Sequence, residues 1–133
     1  MFKAAILDDY QNAAPGLADW DQLGGQVEFT FFNDHLENED EIADRLREFE
    51  IVLMNRERTP FLKSQLDKLP NLKLLLTSGA RNFSIDVAAA QANGVIVCGT
   101  DMVSYPTPEL TWGLILSLAR NIHHEDRLLR EEI

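Results

Sequence analysis

Four short groups of polar and small residues each follow an apolar run in this chain: Asp8-Asp9-Tyr10, Asn55-Arg56-Glu57-Arg58, Thr77-Ser78-Gly79-Ala80-Arg81 and Gly99-Thr100-Asp101. The third group carries the most suggestive chemistry. Gly79 permits a positive φ and a close backbone approach, and successive main-chain N–H groups in such a turn form a concave nest for a carboxylate. From the second group, Arg56 could add a charge-assisted hydrogen bond to the same anion. Residues 77–82 read equally as a plain strand-to-helix turn, and spacing alone does not choose between the two.

Other reactive side chains carry less. His123 and His124 are adjacent, so on a helix they point in different directions and make a poor metal pair. His35 sits in an acidic loop, and the charge run over residues 37–44 reads as a solvated helix start. Trp20 and Trp112 are expected as core or interface aromatics. Cys98 is expected as a buried strand-end thiol, since no base neighbours it in sequence. No metal site is expected.

Elements of a definite kind must hold these groups. Apolar runs of strand length occupy residues 2–7, 27–32, 51–54, 72–76 and 95–98, and helical patterns fall between them at 11–23, 39–49, 60–68 and 84–93. This βα alternation implies a parallel sheet covered by helices. Short connections and right-handed crossovers then predict an α/β, flavodoxin-like, doubly wound five-stranded parallel sheet with strand order 2-1-3-4-5. In such a sheet ligands sit beyond the carboxyl ends of the strands, where all four polar groups fall.

Helix punctuation agrees with this. Ser84 is a candidate cap for the helix carrying Ile85 and Val87, and Asn93-Gly94 supplies its stop. Thr107-Pro108-Glu109 combines a cap, a first-turn proline and an early acid, so a helix is expected from Pro108. Its apolar positions Leu110, Leu114, Ile115, Leu118 and Ile122 recur at helical spacing, and neither Gly nor Pro follows to stop it. The chain therefore reads as the front piece of a larger protein.

Composition narrows the classes. With 133 residues and 45% apolar content one core is expected, and a domain near this size buries roughly 70% of its unfolded surface. A formal net charge of -10 opposes phosphate backbones and anionic membranes, so neither nucleic acid nor membrane is an expected partner. The lone Cys98 has no intramolecular disulfide partner, and the first ten residues are too short an apolar run for a signal peptide. A cytoplasmic setting is expected.

The run LPNLKLLLTSGARNFSIDVAAAQANGVIVCGT, with Gly79, Ile85-Asp86 and Gly94 at characteristic spacing, is followed by PELTWGLILSLARNI with Glu109 and Arg120. Together these resemble the N-terminal part of a D-isomer-specific 2-hydroxyacid dehydrogenase, the family that includes phosphoglycerate, glycerate and formate dehydrogenases. The resemblance covers essentially the whole chain and is strongest from residue 69 to 122. It implies an enzyme that interconverts a D-2-hydroxy acid and a 2-oxo acid with NAD or NADP. It also implies substrate binding by main-chain amides at Ser78, Gly79 and Ala80, and a cofactor-facing contact at Thr107. Residues 1–100 would form the flavodoxin-like substrate-domain portion, and 101–133 a crossover segment leading to a coenzyme domain absent from this sequence. The GxGxxG fingerprint and the catalytic Arg, Glu and His of the family are not found in this chain. The chain alone is therefore expected to bind no cofactor and to be inactive, and its parent to be a homodimer.

A phosphorylation-dependent receiver domain, or another flavodoxin-like binding module, is the alternative from a different class. Asp8-Asp9 ends the first strand much as in response regulators. The third strand, however, ends in Asn55, an amide that accepts no phosphoryl group, and the fifth exits through Cys98-Gly99-Thr100 where a receiver has Lys. Without a carboxylate cluster Mg²⁺ binding should be poor.

Overall fold

A computed structural model describes residues 1–131, so positions 132 and 133 of the expected crossover segment lie outside the described residues. The chain divides into two compact units, Met1–Asp101 and a second beginning at Met102.

The first unit is built on strands β1 (Phe2–Ile6), β2 (Val27–Phe31), β3 (Ile51–Met54), β4 (Leu74–Thr77) and β5 (Ile96–Gly99). All pairs are parallel and the order is β2-β1-β3-β4-β5, as the alternation of apolar runs predicts. Side-chain alternation divides the sheet into two faces. Ala5, Leu7, Val52, Met54 and Leu75 point into the main core. There they meet Ile42, Ala43 and Leu46 of α2 (Glu39–Leu46), Leu66 of α3 (Lys63–Leu66), and Ala89 and Ala90 of α4 (Val87–Ala92). On the opposite face Trp20 packs over Phe29 and Phe31 at 4.8 and 5.6 Å.

Strands β4 and β5 begin later than the apolar runs do. Leu72 and Val95 are buried, but their amides bond back to Leu69 and Ala90, so these residues close helix-to-strand turns before the ladder starts. The first helical pattern also breaks. Pro15 and Gly16 limit α1 to Ala14–Leu17, and a 3₁₀ turn at Trp20–Leu23 ends on Gly24 at φ 56°. Helix α3 is a single turn because Phe61 instead bridges Ile85 through Phe61 N–H to Ser84 O and Asp86 N–H to Phe61 O. That bridge makes Asp86 the cap of α4: its carboxyl accepts from Ala89 N at 2.9 Å. Ser84 is not the cap, since its hydroxyl donates to Glu57 O at 3.3 Å. Gly94 stops the segment at φ 74°. Cys98 is exposed, a correction to the expected buried thiol: on edge strand β5 its neighbours on that face are few.

The second unit holds α5 (Pro106–Ala119) and α6 (Ile122–Glu131). Helix α5 starts two residues before the expected Pro108 because Pro106 takes the first-turn position, so Thr107 lies inside the first turn and Tyr105 precedes it. The expected continuous helix is interrupted at Asn121, which adopts φ 53°. No side chain of α5 or α6 is buried among the described residues.

Candidate functional site

The carboxyl ends of β1, β3, β4 and β5 carry the four polar groups picked out from the sequence, and the loops differ in what they leave free. At the exit of β1 nothing is spare. Asp8 is 2% exposed and sits at φ 59°, an uncommon conformation for a residue other than glycine. Its carboxyl accepts from Thr59 Oγ1 at 2.7 Å and lies 2.7 Å from His35 Nδ1. The Asp9 carboxyl accepts from the amides of Ala13 and Ala14 at 3.0 and 2.9 Å, which closes the loop onto α1. Both acids are consumed in holding the chain. Beside them Arg45 grips Asp34 through two nitrogens, at 2.9 and 2.6 Å, and holds that carboxyl below its ordinary pKa range.

At the exit of β3 two arginines take different roles. Arg58 donates from Nη1 to Asp8 O at 2.5 Å and lies over the Tyr10 ring, 4.3 Å from its centroid. Arg56 adopts φ 60° and its main-chain N–H reaches Ser78 Oγ at 3.3 Å, which ties the β3 and β4 exits together. The Arg56 guanidinium has no hydrogen bond or ion pair among the described residues. It faces a polar cleft of about 640 Å³ lined also by Asp9, Tyr10, Gln11, Asn55 and Arg58. A second, more apolar cleft of about 330 Å³ runs between α1 and the ends of β1 and β3, with Trp20, Leu53 and Met54 in its wall and Ser78 and Asn55 at its polar end. The two clefts share Asp9, Gln11 and Asn55. They meet at the β1/β3 switch in strand order, where an α/β sheet offers its ligand crevice.

The β4 turn narrows the three-amide nest expected from sequence. Ser78 N–H continues the ladder to Met54 O at 3.2 Å, and Gly79 N–H donates to Thr100 Oγ1 at 2.9 Å. The amides of Ala80 and Arg81 have no partner among the described residues. Gly79 stands at φ 118°, which only glycine adopts without strain. Gly99 is held to glycine for a different reason: a Cβ there would lie 2.6 Å from Gly79 O. The turn is braced from beneath by Asn82, whose Nδ2 donates to Arg56 O at 2.8 Å and to Thr77 Oγ1 at 3.0 Å while its Oδ1 accepts from Ser84 N at 2.9 Å.

Most of β1, all of β2 to β5, these loops and the first turn of α5 lie within one stretch matched by a family profile described as D-isomer specific 2-hydroxyacid dehydrogenase, catalytic domain, residues 4–111. The chain belongs to that family. Among its relatives, glycerate dehydrogenase of Methylorubrum extorquens is 34% identical over 101 residues, which are 71% of this chain and 32% of that protein. The crystal structure of phosphoglycerate oxidoreductase from Vibrio cholerae is 42% identical with a TM-score of 0.78, over 88% of this chain and 37% of that one. A Ralstonia solanacearum oxidoreductase superposes over the whole of this chain and 40% of its own, at 31% identity and TM-score 0.81. The chain thus spans between about a third and two fifths of the length of these relatives. As family members they confirm the α/β fold with order 2-1-3-4-5, and membership decides against the receiver alternative. Asn55 at the end of β3 and the fully engaged Asp8 and Asp9 agree at the level of chemistry.

The structure thus places Ser78, Gly79, Ala80 and Arg56 at adjoining strand exits. Thr107 lies in the second unit, where its carbonyl accepts from Thr111 Oγ1 at 2.8 Å. Sequence reasoning missed Asn82 and Thr59 and the roles of His35 and Thr100. Their partners are distant in sequence, Thr59 to Asp8 by 51 residues and Asn82 to Arg56 by 26, so no local spacing could announce them.

Proposed function

We propose that this chain supplies the substrate-domain half of an NAD- or NADP-dependent dehydrogenase that interconverts a D-2-hydroxy acid and a 2-oxo acid. The observation that carries the reading is the junction at Arg56 and Ser78. There the main-chain N–H of Arg56, whose guanidinium has no partner among the described residues, donates to the Ser78 hydroxyl of a turn with unspent amides; cation and amides together are the donor set a carboxylate needs.

In this reading Gly79 and Ala80 offer their amides, Ser78 its hydroxyl and Arg56 its guanidinium to the substrate, and the loop orients its carboxylate so that the 2-oxo group faces the coenzyme. Residues 1–100 are the substrate-domain portion, and 101–133 lead toward a coenzyme domain. Thr107 contributes a contact to the nicotinamide once that domain is present. The described residues do not by themselves fit a dinucleotide. They include no GxGxxG turn, and α5 opens with Tyr105 making no side-chain cap and with Glu109 in its first turn, a poor seat for a pyrophosphate. Apart from Thr107 no coenzyme contact is assigned to this chain, and no catalytic acid or base. The small hydroxy or oxo acid is the expected ligand, and the parent is a homodimer. Nucleic acid is not a partner on grounds of charge. No helix among the described residues is long and apolar enough to cross a membrane, and we assign the parent to the cytoplasm.

The test is a comparison of this chain with the product of the reading frame extended past residue 133. NADH or NADPH oxidation is followed with glyoxylate and hydroxypyruvate. Turnover by the extended product and none by the chain is expected. Turnover by the pure chain, or an extended frame without a GxGxxG after a strand, contradicts the proposal.

A further inference from the structure

The Gly79 amide, which the proposed carboxylate site needs, is already engaged, and the group engaging it is Thr100. Gly79 N–H donates to Thr100 Oγ1 at 2.9 Å, and Thr100 N–H returns a bond to Gly79 O at 3.1 Å. The two residues thus form a closed two-bond clasp between the exits of β4 and β5, neighbouring strands paired Thr77 to Gly99. Gly99 lets this clasp close, because any side chain there would strike Gly79 O.

The two bonds of the clasp differ in kind. The Thr100 N–H bond is main chain to main chain and extends the β4–β5 pairing by one step. The Gly79 N–H bond depends on a side-chain hydroxyl that is free to rotate, on an exposed residue. An amide hydrogen makes one strong bond at a time, so a carboxylate reaching Gly79 must displace that hydroxyl. The exchange favours the anion, since an ionised acceptor bonds more strongly than a neutral one. The displaced hydroxyl then pairs with water. We propose that Thr100 is a positioning residue that acts as a latch on the substrate loop. It holds the Gly79 amide in place and occupied while the site is empty, and yields it when a carboxylate arrives. The latch rests on the assignment of this loop as the carboxylate site. It prevents the glycine-containing turn from drifting, and its cost is weakened ground-state binding of simple carboxylates.

The experiment uses the full chain with Thr100→Val, which keeps the shape and removes the acceptor, Thr100→Ala as a second deletion, and Thr100→Ser, which restores a hydroxyl. Amide hydrogen exchange at Gly79 is measured without ligand, and oxalate is titrated by NMR. Faster Gly79 exchange is expected in the Val and Ala variants and wild-type exchange in Ser. The dissociation constant for oxalate should fall about three- to tenfold in Val and Ala, the worth of one neutral hydrogen bond, and stay at the wild-type value in Ser. Unchanged Gly79 exchange in both deletion variants overturns the latch whatever oxalate does. Equal or weaker oxalate binding in both, with Gly79 still shifting, also overturns it. If exchange responds as expected but oxalate shifts no amide of residues 78–81 in any variant, the clasp exists and the carboxylate assignment fails, which removes the latch's role.

Discussion

The exits of β1 and β4 lie in the same sheet with β3 between them and make opposite use of their polar groups. At β1 every carboxyl oxygen of Asp8 and Asp9 has a partner within the chain: Thr59, His35, and the amides of Ala13 and Ala14. At β4, among the described residues, the amides of Ala80 and Arg81 are unspent, the Gly79 amide is held only by a hydroxyl, and the guanidinium of Arg56, whose main-chain N–H bonds the Ser78 hydroxyl, is unpaired. A paired buried polar group serves stability, whereas unpaired donors held on a rigid turn can serve a ligand. By this measure the acidic loop, which looks more chemically active in the sequence, is structural, and the small-residue turn is the element we propose for binding.

Breaking the β1 exit should cost the most. Asp8→Ala leaves the Thr59 hydroxyl, on a residue 4% exposed, without its acceptor and strips His35 of its partner. A loss of about 2–3 kcal/mol in unfolding free energy is expected from a buried, doubly bonded carboxyl, read by urea denaturation. A neutral Asp8→Ala would erase the contrast between the two loops.

Next comes Gly99→Ala, whose Cβ would lie 2.6 Å from Gly79 O and force the β4 turn outward. We expect about 1–3 kcal/mol of destabilisation by overpacking, together with loss of oxalate binding in the protein that remains folded. Retention of both would show that the turn tolerates displacement and is not a preformed site.

Asn82→Ala removes three bonds that brace the turn, but all are partly exposed. A loss of about 1 kcal/mol is expected from net hydrogen-bond energies in thermal or chemical unfolding, with weaker oxalate binding. Smallest in stability is Arg56→Ala, expected within about 0.5 kcal/mol of wild type as a surface change. Its oxalate affinity should nonetheless drop about five- to tenfold through loss of one charge-assisted bond. A mutation that spares the fold and harms binding is the mirror image of Asp8→Ala, and equal effects of the two on binding would blur the distinction.

Much of the fold was legible in the sequence because it rests on local signals. The run Ile51–Met54 is bounded by polar residues and became β3 unchanged, and the strand order follows from alternating short strands and helices. Pro15-Gly16 and Asn121 carried the signals for the breaks that the longer helical patterns overrode. At the site, Gly79 and Arg56 were visible as residue types in the right strand exits. The occupancy of each donor was not, because it depends on contacts such as Gly79 to Thr100, 21 residues apart. The burial of Asp8 behind Thr59 and His35 was hidden in the same way, so an acidic pair open in sequence became a closed structural knot.

The most direct test of the central claim is an NMR titration of the chain with oxalate, repeated with Mg²⁺ alone. The account predicts that oxalate shifts the amides of Ala80, Arg81 and Gly79 first and that Mg²⁺ leaves Asp8 and Asp9 unmoved. Largest shifts at Asp8, Asp9 and Asn55 on adding Mg²⁺, with residues 78–81 silent to oxalate, would contradict it.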